Sequence, residues 1–396
     1  MRLQVKGGGH ASNPGFSSTE GVQISMKRFS EVTYDAATQT AVIGAGLLWD
    51  DVYAVLAPYG VNVVGGRVSG VGVAGFTLGG GYSWLTNQYG LTIDTVVAFE
   101  LVKPNGDIVN VTESSDPDLF FGLKGGINNF GIVTRFTLKT FPQGQVWAGT
   151  ITYTFDRIPS VAAAVAKFSS TVTDPKAAII ATYNFLLGQP GIILLVFYDD
   201  PVQPAGIFDD FLAVPHLTND VSTRDFASFV SGSQGNATSG QRAIFQSVSL
   251  TEYTPTLLDA IYNETVFWGS RLGLLTGTFI SYDVEPFLPT LFSHGSKSAY
   301  PPSRKQGLSP FNIYFAWIAS LSDDEFHEAA RQSAAQIKAV AIAEGQDISD
   351  VAIYPNYAIY DTPLEGLYGS HVPRLKALKM SVDPTNVMGL AGGFKL

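Results

Sequence analysis

Clusters of glycine next to strand-like segments are the residues of this sequence whose chemistry is easiest to recognise. The first cluster, Gly7, Gly8 and Gly9, follows the strand-like segment Leu3–Lys6 and precedes His10. Consecutive glycines expose backbone N–H groups and allow positive φ angles, which are the conditions for a nest that binds an anion. The pattern predicts that backbone amides hold a phosphate-bearing ligand here, and a plain tight turn is the alternative interpretation.

The second cluster lies between residues 65 and 81. Gly70, Gly72 and Gly75 match the dinucleotide pattern GxGxxG, and Asp94 lies further along the chain. In a nicotinamide-binding site the third glycine lies in a helix that continues, whereas the glycines at 79–81 would break that helix within one turn. Asp94 also precedes a predicted strand instead of ending one. We therefore reject the nicotinamide interpretation.

The third cluster comprises Gly125, Gly126 and Gly131, which precede the predicted strand Ile132–Leu138. Glycine loops beside strands allow the backbone to approach a ligand closely. Because three such loops occur in this chain, the pattern indicates one extended ligand, a dinucleotide, held mainly by main-chain amides.

The composition limits the class of protein. The 396 residues are 45% hydrophobic and 15% charged, as in globular proteins of two or three domains. The formal net charge of −10 repels a phosphate backbone, so we expect no nucleic-acid partner. The chain has no cysteine and only five histidines, so we expect no metal site.

The compartment is less well determined. No apolar run reaches the roughly 18 residues that a membrane span needs, so no membrane association is expected. The opening MRLQVKGGGH contains no secretory signal. Three N-glycosylation sequons, at Asn110, Asn236 and Asn263, are nevertheless compatible with a secreted parent protein. Localisation and oligomeric state are left open.

Residues 1–145 alternate short β-branched runs with glycine or Asn/Asp turns, which is typical of an α+β domain. The segment LVKPNGDIVNV predicts a β-hairpin around Pro104, Asn105 and Gly106. Two short helices are predicted, Trp49–Leu56 and Asp116–Leu123, the second begun by an Asp-Pro cap.

Residues 146–345 show longer periodic segments, which predict a second domain with an antiparallel sheet covered by helices. Residues 346–396 are predicted to return to the first domain. The predicted helices are Ser160–Thr171, Thr256–Ile261, Asp323–Glu344 and one near His371–Ser381, and the predicted strands are Ala178–Leu187, Gly191–Tyr198, Ile244–Leu250 and Phe311–Ile318.

Four motifs in this order resemble the flavin-linked oxidases of the vanillyl-alcohol-oxidase superfamily. They are VKGGGHASNPG, GGRVSGVGVAGFTLGGGYSWLTNQYGLTIDTV, LKGGINNFGIVT and the C-terminal pair YPNYAIYDTPL and YGSHVPRLKALKMSVDPTNVM. The resemblance is to the berberine-bridge-enzyme-like branch, and within it to fungal enzymes of secondary metabolism. It implies a PCMH-type FAD-binding domain (residues 1–145) and a substrate domain (146–345), with FAD as the cofactor.

The resemblance also implies which residues hold the flavin. His10 would bond through a ring nitrogen to the flavin 8α carbon; a histidine that only hydrogen-bonds the loop is the alternative. Members with two flavin bonds carry a cysteine two residues after the glycine matching Gly66, and Val68 stands there, so a single link is expected. The other implied contacts are Gly7, Gly8, Gly9, Gly70, Gly72, Gly75, Gly79, Gly80, Gly81, Gly131, Val133 and Asn356.

By the same resemblance the enzyme would oxidise a small organic molecule, a secondary metabolite, by hydride transfer to flavin N5, with O2 as the electron acceptor. A base must remove the accompanying proton. We expect Tyr354 to be that base, with Tyr82 beside it lowering its pKa through a hydrogen bond. Tyr314, Tyr357 and Tyr360 are the next candidates, and no Asp or Glu stands in a distinctive context.

The resemblance is incomplete at the start of the chain. Family members usually carry several dozen residues before the position of Leu3. Two interpretations follow: a short form that still binds flavin through the three loops, or a truncated, catalytically inactive remnant or flavin-free binding protein.

Overall fold

The computed structural model describes residues 2–186, 188–233 and 238–396. The strands are β1 (Leu3–Lys6), β2 (Val22–Ser25), β3 (Val32–Asp35), β4 (Thr40–Gly44), β5 (Val61–Asn62), β6 (Val96–Val102), β7 (Ile108–Val111), β8 (Ile132–Lys139), β9 (Phe141–Pro142), β10 (Val146–Tyr153), β11 (Ala177–Leu186), β12 (Gln189–Tyr198), β13 (Thr218–Asn219), β14 (Ser222–Arg224), β15 (Arg242–Leu250), β16 (Gly277–Val284) and β17 (Ser309–Trp317). The helices are α1 (Trp49–Leu56), α2 (Val73–Leu78), α3 (Thr86–Tyr89), α4 (Thr92–Thr95), α5 (Pro117–Leu123), α6 (Ile158–Thr171), α7 (Asp209–Ala213), α8 (Phe226–Ser231), α9 (Pro255–Gly273), α10 (Asp323–Ala343), α11 (Leu364–Tyr368) and α12 (Val372–Val382).

The first sheet is antiparallel, in the order β3-β4-β8-β6-β7. The predicted hairpin is confirmed as β6 and β7, joined through a turn in which Gly106 has a φ of 91°. Helix α1 has the predicted bounds. Helix α5 begins as predicted, because the Asp116 carboxylate accepts a hydrogen bond from the Leu119 N–H at 3.0 Å.

The second sheet has eight strands, with the path β13-β10-β12-β11-β16-β17-β15 and β14 beside β10. Its pairs are all antiparallel, and α9 and α10 pack on it. The predicted α+β class, with an antiparallel sheet covered by helices, is therefore confirmed. The predicted strand at 178–187 corresponds to β11, although its last residue, Leu187, lies outside the described residues.

Several elements in and around the second sheet differ from the prediction: β10, β13, β14 and β16 were not predicted, and α9 is longer than expected. Helix α9 extends to Gly273 instead of ending at Ile261, because residues such as Thr265, Trp268 and Leu272 are buried at helical spacing. Tertiary packing there outweighs weak helix propensity. Strand β16 was not predicted, since the polar residues Ser281 and Asp283 interrupt its apolar residues.

The C-terminal segment packs against the first residues of the chain. The Asn13 side chain donates to the Ala358 carbonyl at 2.8 Å, and the Gly392 N–H donates to Gln4 Oε1 at 2.6 Å. The division of the chain at 145 and 345, with residues 346–396 as a segment that returns to the first domain, stays a prediction.

Two of the sequons lie on exposed positions. Asn110 is on β7 and Asn263 is on α9, whereas Asn236 lies outside the described residues. Secretion stays a prediction. Within the described ranges, no helix combines the length and apolarity that a bilayer crossing requires.

Candidate active site

The first two glycine clusters pack directly against each other. A Cβ added to Gly8 would lie 2.5 Å from the Gly72 Cα, and one added to Gly72 would lie 2.5 Å from the Gly8 nitrogen. Because backbone meets backbone here, neither position accommodates a side chain. The sequence predicted that the backbone approaches a ligand closely here. The structure shows that the first loop also approaches the backbone of the second glycine cluster.

The amides of the first loop are available to a ligand. In the part of the chain that the structure describes, the backbone N–H groups of Gly7, Gly8, Gly9 and His10 form no hydrogen bond. Four consecutive free donors fit an anion-binding nest better than a closed turn. This loop is therefore the strongest candidate for contact with a phosphate-bearing cofactor.

The amides of the second cluster are mostly occupied within the protein. The Gly70 N–H donates to Asp50 Oδ2 at 2.9 Å, and the Gly79 N–H donates to the Gly75 carbonyl at 3.2 Å. Helix α2 is short and ends before Gly79, which agrees with the rejection of the nicotinamide pattern. Gly75 differs, because nothing lies within 4 Å of a Cβ added there.

The third cluster lies beside the second through the Ile127 N–H, which donates to the Leu78 carbonyl at 3.1 Å. Gly131, with a φ of 145°, packs against the Val102 carbonyl, and Val133 is buried in the first sheet. Backbone contacts of Gly131 and Val133 with an adenine stay a prediction.

Two buried hydroxyl groups near these loops also fit FAD. The hydroxyls of Ser12, two residues after His10, and of Thr77, between Gly75 and Gly79, are buried without a hydrogen-bond partner among the described residues. Buried hydroxyls are usually satisfied, and FAD offers phosphate oxygens and ribityl hydroxyls. Together with the free amides of the first loop, they match the polar groups of a flavin dinucleotide.

His10 lies at the end of the first loop and faces the second sheet. Its ring stacks against Phe245 of β15, with ring centroids 6.3 Å apart and an interplanar angle of 27°. The imidazole is accessible to solvent, although protein surrounds much of it. Burial lowers the pKa of His10, so the neutral ring keeps a nucleophilic lone pair near pH 7.

Tyr354 lies at the centre of the site, only 2% exposed. Its hydroxyl accepts hydrogen bonds from the Gly81 N–H at 3.1 Å and from Asn356 Nδ2 at 2.8 Å. Among the described residues its own proton has no acceptor. Burial raises the pKa of Tyr354 to about 12, while the Asn356 hydrogen bond, the Arg67 charge and the Gly81 N–H favour the phenolate.

The Tyr82 hydroxyl does not form the predicted hydrogen bond to Tyr354, although the Tyr82 backbone does favour the phenolate of Tyr354. Its hydroxyl donates to the Leu308 carbonyl at 3.1 Å and lies 3.3 Å from the Tyr300 hydroxyl. Its ring packs edge-on against the ring of Tyr354, with centroids 4.8 Å apart. The expected side-chain hydrogen bond is therefore absent, because these other partners hold the Tyr82 hydroxyl, and Asn356 supplies that bond instead.

Asn356 also explains why residue 79 is glycine. Its Nδ2 donates to the Phe76 carbonyl at 3.0 Å as well as to Tyr354, and a Cβ on Gly79 would lie 2.0 Å from its Oδ1. Gly79→Ala is therefore expected to displace Asn356 and to lower the free energy of unfolding by roughly 1–3 kcal/mol. Denaturant titration measures this.

The matched control for that substitution is Gly273→Ala, at the end of α9, where nothing lies within 4 Å of the added Cβ. We expect little change there, within roughly 0.5 kcal/mol. Equal destabilisation by the two substitutions would contradict the packing of Asn356 over Gly79.

Sequence reasoning assigned no role to a carboxylate, and the structure places Glu285 beside the predicted tyrosines. Arg67 Nη2 donates to Glu285 Oε2 at 2.6 Å and to the Tyr357 hydroxyl at 2.8 Å. The Tyr357 hydroxyl donates to Glu285 Oε1 at 3.1 Å. Burial raises the pKa of Glu285 to about 7 although Arg67 opposes it. The polar alternation Ser281, Asp283, Glu285 was the available signal.

The Glu285 shift predicts a pH dependence of stability. The folded protein binds the Glu285 proton more tightly than the unfolded chain, so this contribution is complete below about 4.5 and is lost as the pH rises to about 7. Relative to Glu285→Gln, the free energy of unfolding should fall by roughly 3 kcal/mol across that range. Parallel denaturation curves for the two proteins at every pH would contradict the raised pKa.

The remaining tyrosine candidates lie in different parts of the structure. Tyr314 of β17 packs on Phe245 with ring centroids 4.8 Å apart, so it lies near His10. Tyr360 instead lies against His327 of α10, with ring centroids 5.3 Å apart. Asp94, the residue of the rejected nicotinamide pattern, forms an ion pair with Arg304 at 2.7 Å.

A groove and a cluster of metal ligands are the other features that could indicate a functional site. A groove of about 480 Å³ lies between α6 and α9 and includes none of the predicted site residues. Over the described ranges, no three His, Asp or Glu side chains come together as metal ligands would. Buried titratable groups instead converge at Tyr354, Glu285 and Arg67, which makes this region the candidate functional site.

Comparisons with known proteins identify the family of the chain. A family described as "FAD binding domain" matches residues 1–112. The chain is 30% identical to the "FAD-dependent monooxygenase drtC" of Aspergillus calidoustus, over 99% of this chain and 77% of that protein. It is 42% identical to an "Uncharacterized FAD-linked oxidoreductase" of Arthroderma benhamiae, over 58% of this chain and 46% of that protein.

Solved structures share the fold. The 6-hydroxy-D-nicotine oxidase of Arthrobacter nicotinovorans superposes with a TM-score of 0.77 at 20% identity, covering 98% of this chain and 85% of that one. The berberine bridge enzyme of Eschscholzia californica gives 0.77 at 18% identity, covering 98% and 83%. The fold is therefore the PCMH type that the berberine bridge enzyme also has. The chain belongs to the FAD-linked oxidoreductase family that includes the fungal protein drtC.

Proposed function

We propose that this chain oxidises a small organic molecule by removing a hydride from a C–H bond and a proton from the adjoining oxygen or nitrogen. FAD, when bound, accepts the hydride at N5 and passes the electrons to O2, which leaves as peroxide. The observation that supports this most is the Tyr354 hydroxyl, which has two N–H donors and a proton without an acceptor, close to the glycine loops.

Tyr354 is proposed as the base that takes the substrate proton. The Gly81 and Asn356 N–H groups stabilise its phenolate, and burial keeps water from competing for the proton. Since burial raises the pKa of Tyr354 to about 12, the reactive phenolate becomes more abundant as the pH rises through the alkaline range. The rate of substrate oxidation should rise with it.

A single covalent link through His10 is the second part of the proposal. The neutral imidazole stands on a glycine loop, so one ring nitrogen would bond to the flavin 8α carbon in place of a hydrogen, which leaves as a proton. The two electrons released would be held by the flavin ring and passed to O2. Val68 offers no thiol for another bond. The dinucleotide would be held by the unbonded amides of Gly7, Gly8 and Gly9 and would use the open space beside Gly75.

The substrate is proposed to be a secondary metabolite, because the fungal relatives include a protein named "Bifunctional solanapyrone synthase" from Alternaria solani. Several relatives are named monooxygenases, which gives a second candidate activity: insertion of one oxygen atom from O2. Both activities use the same site.

The experiment that tests the function is a screen of aromatic and polyketide-like compounds for peroxide release and for anaerobic bleaching of the flavin. An oxidase bleaches without O2 and releases peroxide with it. Incorporation of label from ¹⁸O2 into the product, without peroxide, would support the monooxygenase instead. If no compound bleaches the flavin, the proposed activity is wrong.

A further inference from the structure

A row of polar side chains crosses the second sheet on the face that looks toward the glycine loops. Thr182 of β11, Asp283 of β16, Asn312 of β17 and Ser247 of β15 are successive cross-strand partners. The Thr182 hydroxyl donates to Asp283 Oδ1 at 2.8 Å, and Asn312 Nδ2 donates to Asp283 Oδ2 at 2.9 Å. Neutral donors therefore hold the Asp283 carboxylate in place.

The orientation of this face follows from its neighbours. Glu285, two residues after Asp283, pairs with Arg67 of the second glycine cluster. Phe245, two residues before Ser247, stacks on His10. The row thus faces the space between the second sheet and the glycine loops, where the substrate is proposed to bind.

The charges on this face do not balance. Arg67 is paired with Glu285, and no cation in the described part of the chain forms an ion pair with Asp283. Two carboxylates then face one guanidinium, and burial raises the pKa of both Asp283 and Glu285. Asp283 is partly accessible, so a cation from outside the chain can reach it and supply the ion-pair partner that it lacks among the described residues.

A second observation points to a ligand. Asn312 is only 4% exposed, and its Oδ1 has no hydrogen-bond partner among the described residues. Asp283 and Asn312 together present acceptors, so their complement is a group that donates hydrogen bonds. A ligand N–H group would satisfy both residues at once.

Aromatic side chains lie beside this polar row on the same face. Phe245 and Tyr314 pack with ring centroids 4.8 Å apart, and Phe279 lies 6.3 Å from Tyr314, all of them partly accessible. Aromatic faces attract cations and cover apolar ligand surface. A carboxylate beside aromatic side chains is a combination that recognises a protonated amine attached to an aromatic or alkyl body.

We propose that Asp283 determines specificity by binding a protonated amino group of the substrate, with Asn312 accepting a further hydrogen bond from it. This rests on the proposed function, because it assigns the substrate class of the same site. Asp283 holds the substrate and is not the base, which is a separate role assigned to Tyr354.

The test uses the flavin-loaded protein and two probes of nearly equal shape, phenethylamine and 2-phenylethanol, at neutral pH. Binding is followed by calorimetry and by perturbation of the flavin spectrum. The amine should bind at least about tenfold more tightly than the alcohol. In Asp283→Asn this ratio should fall to about one, because the carboxylate that attracts the ammonium group is gone.

Thr182→Val is the matched control, since it removes one hydrogen bond to Asp283 but keeps the charge, and it should retain the preference for the amine. Melting curves and flavin content show whether each variant is folded and loaded. Equal binding of the two probes to the wild type, failure of the amine to bind at millimolar concentration, or a preference that survives Asp283→Asn would each overturn the proposal. If a substrate without an amino group forms peroxide, the proposed oxidation stands and only the amine specificity is affected. The proposed function and the proposed specificity can therefore fail separately.

Discussion

Replacing Tyr354 by phenylalanine is expected to slow anaerobic flavin reduction by at least about a hundredfold, because the general base is lost while its ring is kept. Stopped-flow absorbance with any substrate found in the screen measures this rate. In the wild type the rate should rise with pH, since burial raises the pKa of Tyr354 to about 12. In Tyr354→Phe this rise should disappear.

The matched control is Tyr360→Phe, three residues after Tyr357 in the same segment. The Tyr360 hydroxyl accepts from Arg331 Nη2 at 3.3 Å, and its ring lies against His327, away from the glycine loops. This variant should keep the wild-type rate within about twofold, since it touches no reacting group.

Two outcomes would contradict the role of Tyr354. An unchanged rate in Tyr354→Phe removes it from the reaction. A rate that levels off near pH 7, and does so in the variant as well, assigns the proton to Glu285 through Tyr357, because the pKa of Glu285 is raised to about 7.

Replacing His10 by alanine is expected to abolish covalent flavin attachment completely. Mass spectrometry of the denatured wild-type chain should show an added flavin mass, and the His10→Ala chain should show none. The neutral ring of His10 supplies the attacking nitrogen, and no thiol is available to replace it.

His216→Ala is the control for that experiment, because His216 is exposed and its Nδ1 lies 3.3 Å from the Val214 carbonyl of its own segment. Its chain should keep the full flavin mass. A flavin mass that persists in His10→Ala places the link elsewhere, and its absence from the wild type means that the cofactor is held without a covalent bond.

Local signals predicted many of the elements well. The Asp-Pro cap set the start of α5, the Pro-Asn-Gly turn set the hairpin of β6 and β7, and apolar spacing gave the bounds of α1. Each depends on residues close together in the sequence, so a pattern suffices. Strand β16 was not predicted because its polar residues pack against a part of the protein that is distant in sequence.

The site was harder to predict for the same reason. Glycine runs indicate that backbone must approach something, but they do not name the partner, and for Gly8 it is Gly72. Arg67 and Glu285 are 218 residues apart and no local pattern links them. Tyr82 was expected to bond Tyr354, yet a carbonyl on a distant segment holds its hydroxyl.

The most direct test of flavin binding by these glycine loops is the visible spectrum of the purified protein, recorded before and after incubation with FAD and removal of the excess. We expect a yellow protein with flavin and chain in a one-to-one ratio. A folded protein that stays colourless after incubation with FAD would contradict the assignment of the loops, of His10 and of the oxidation itself.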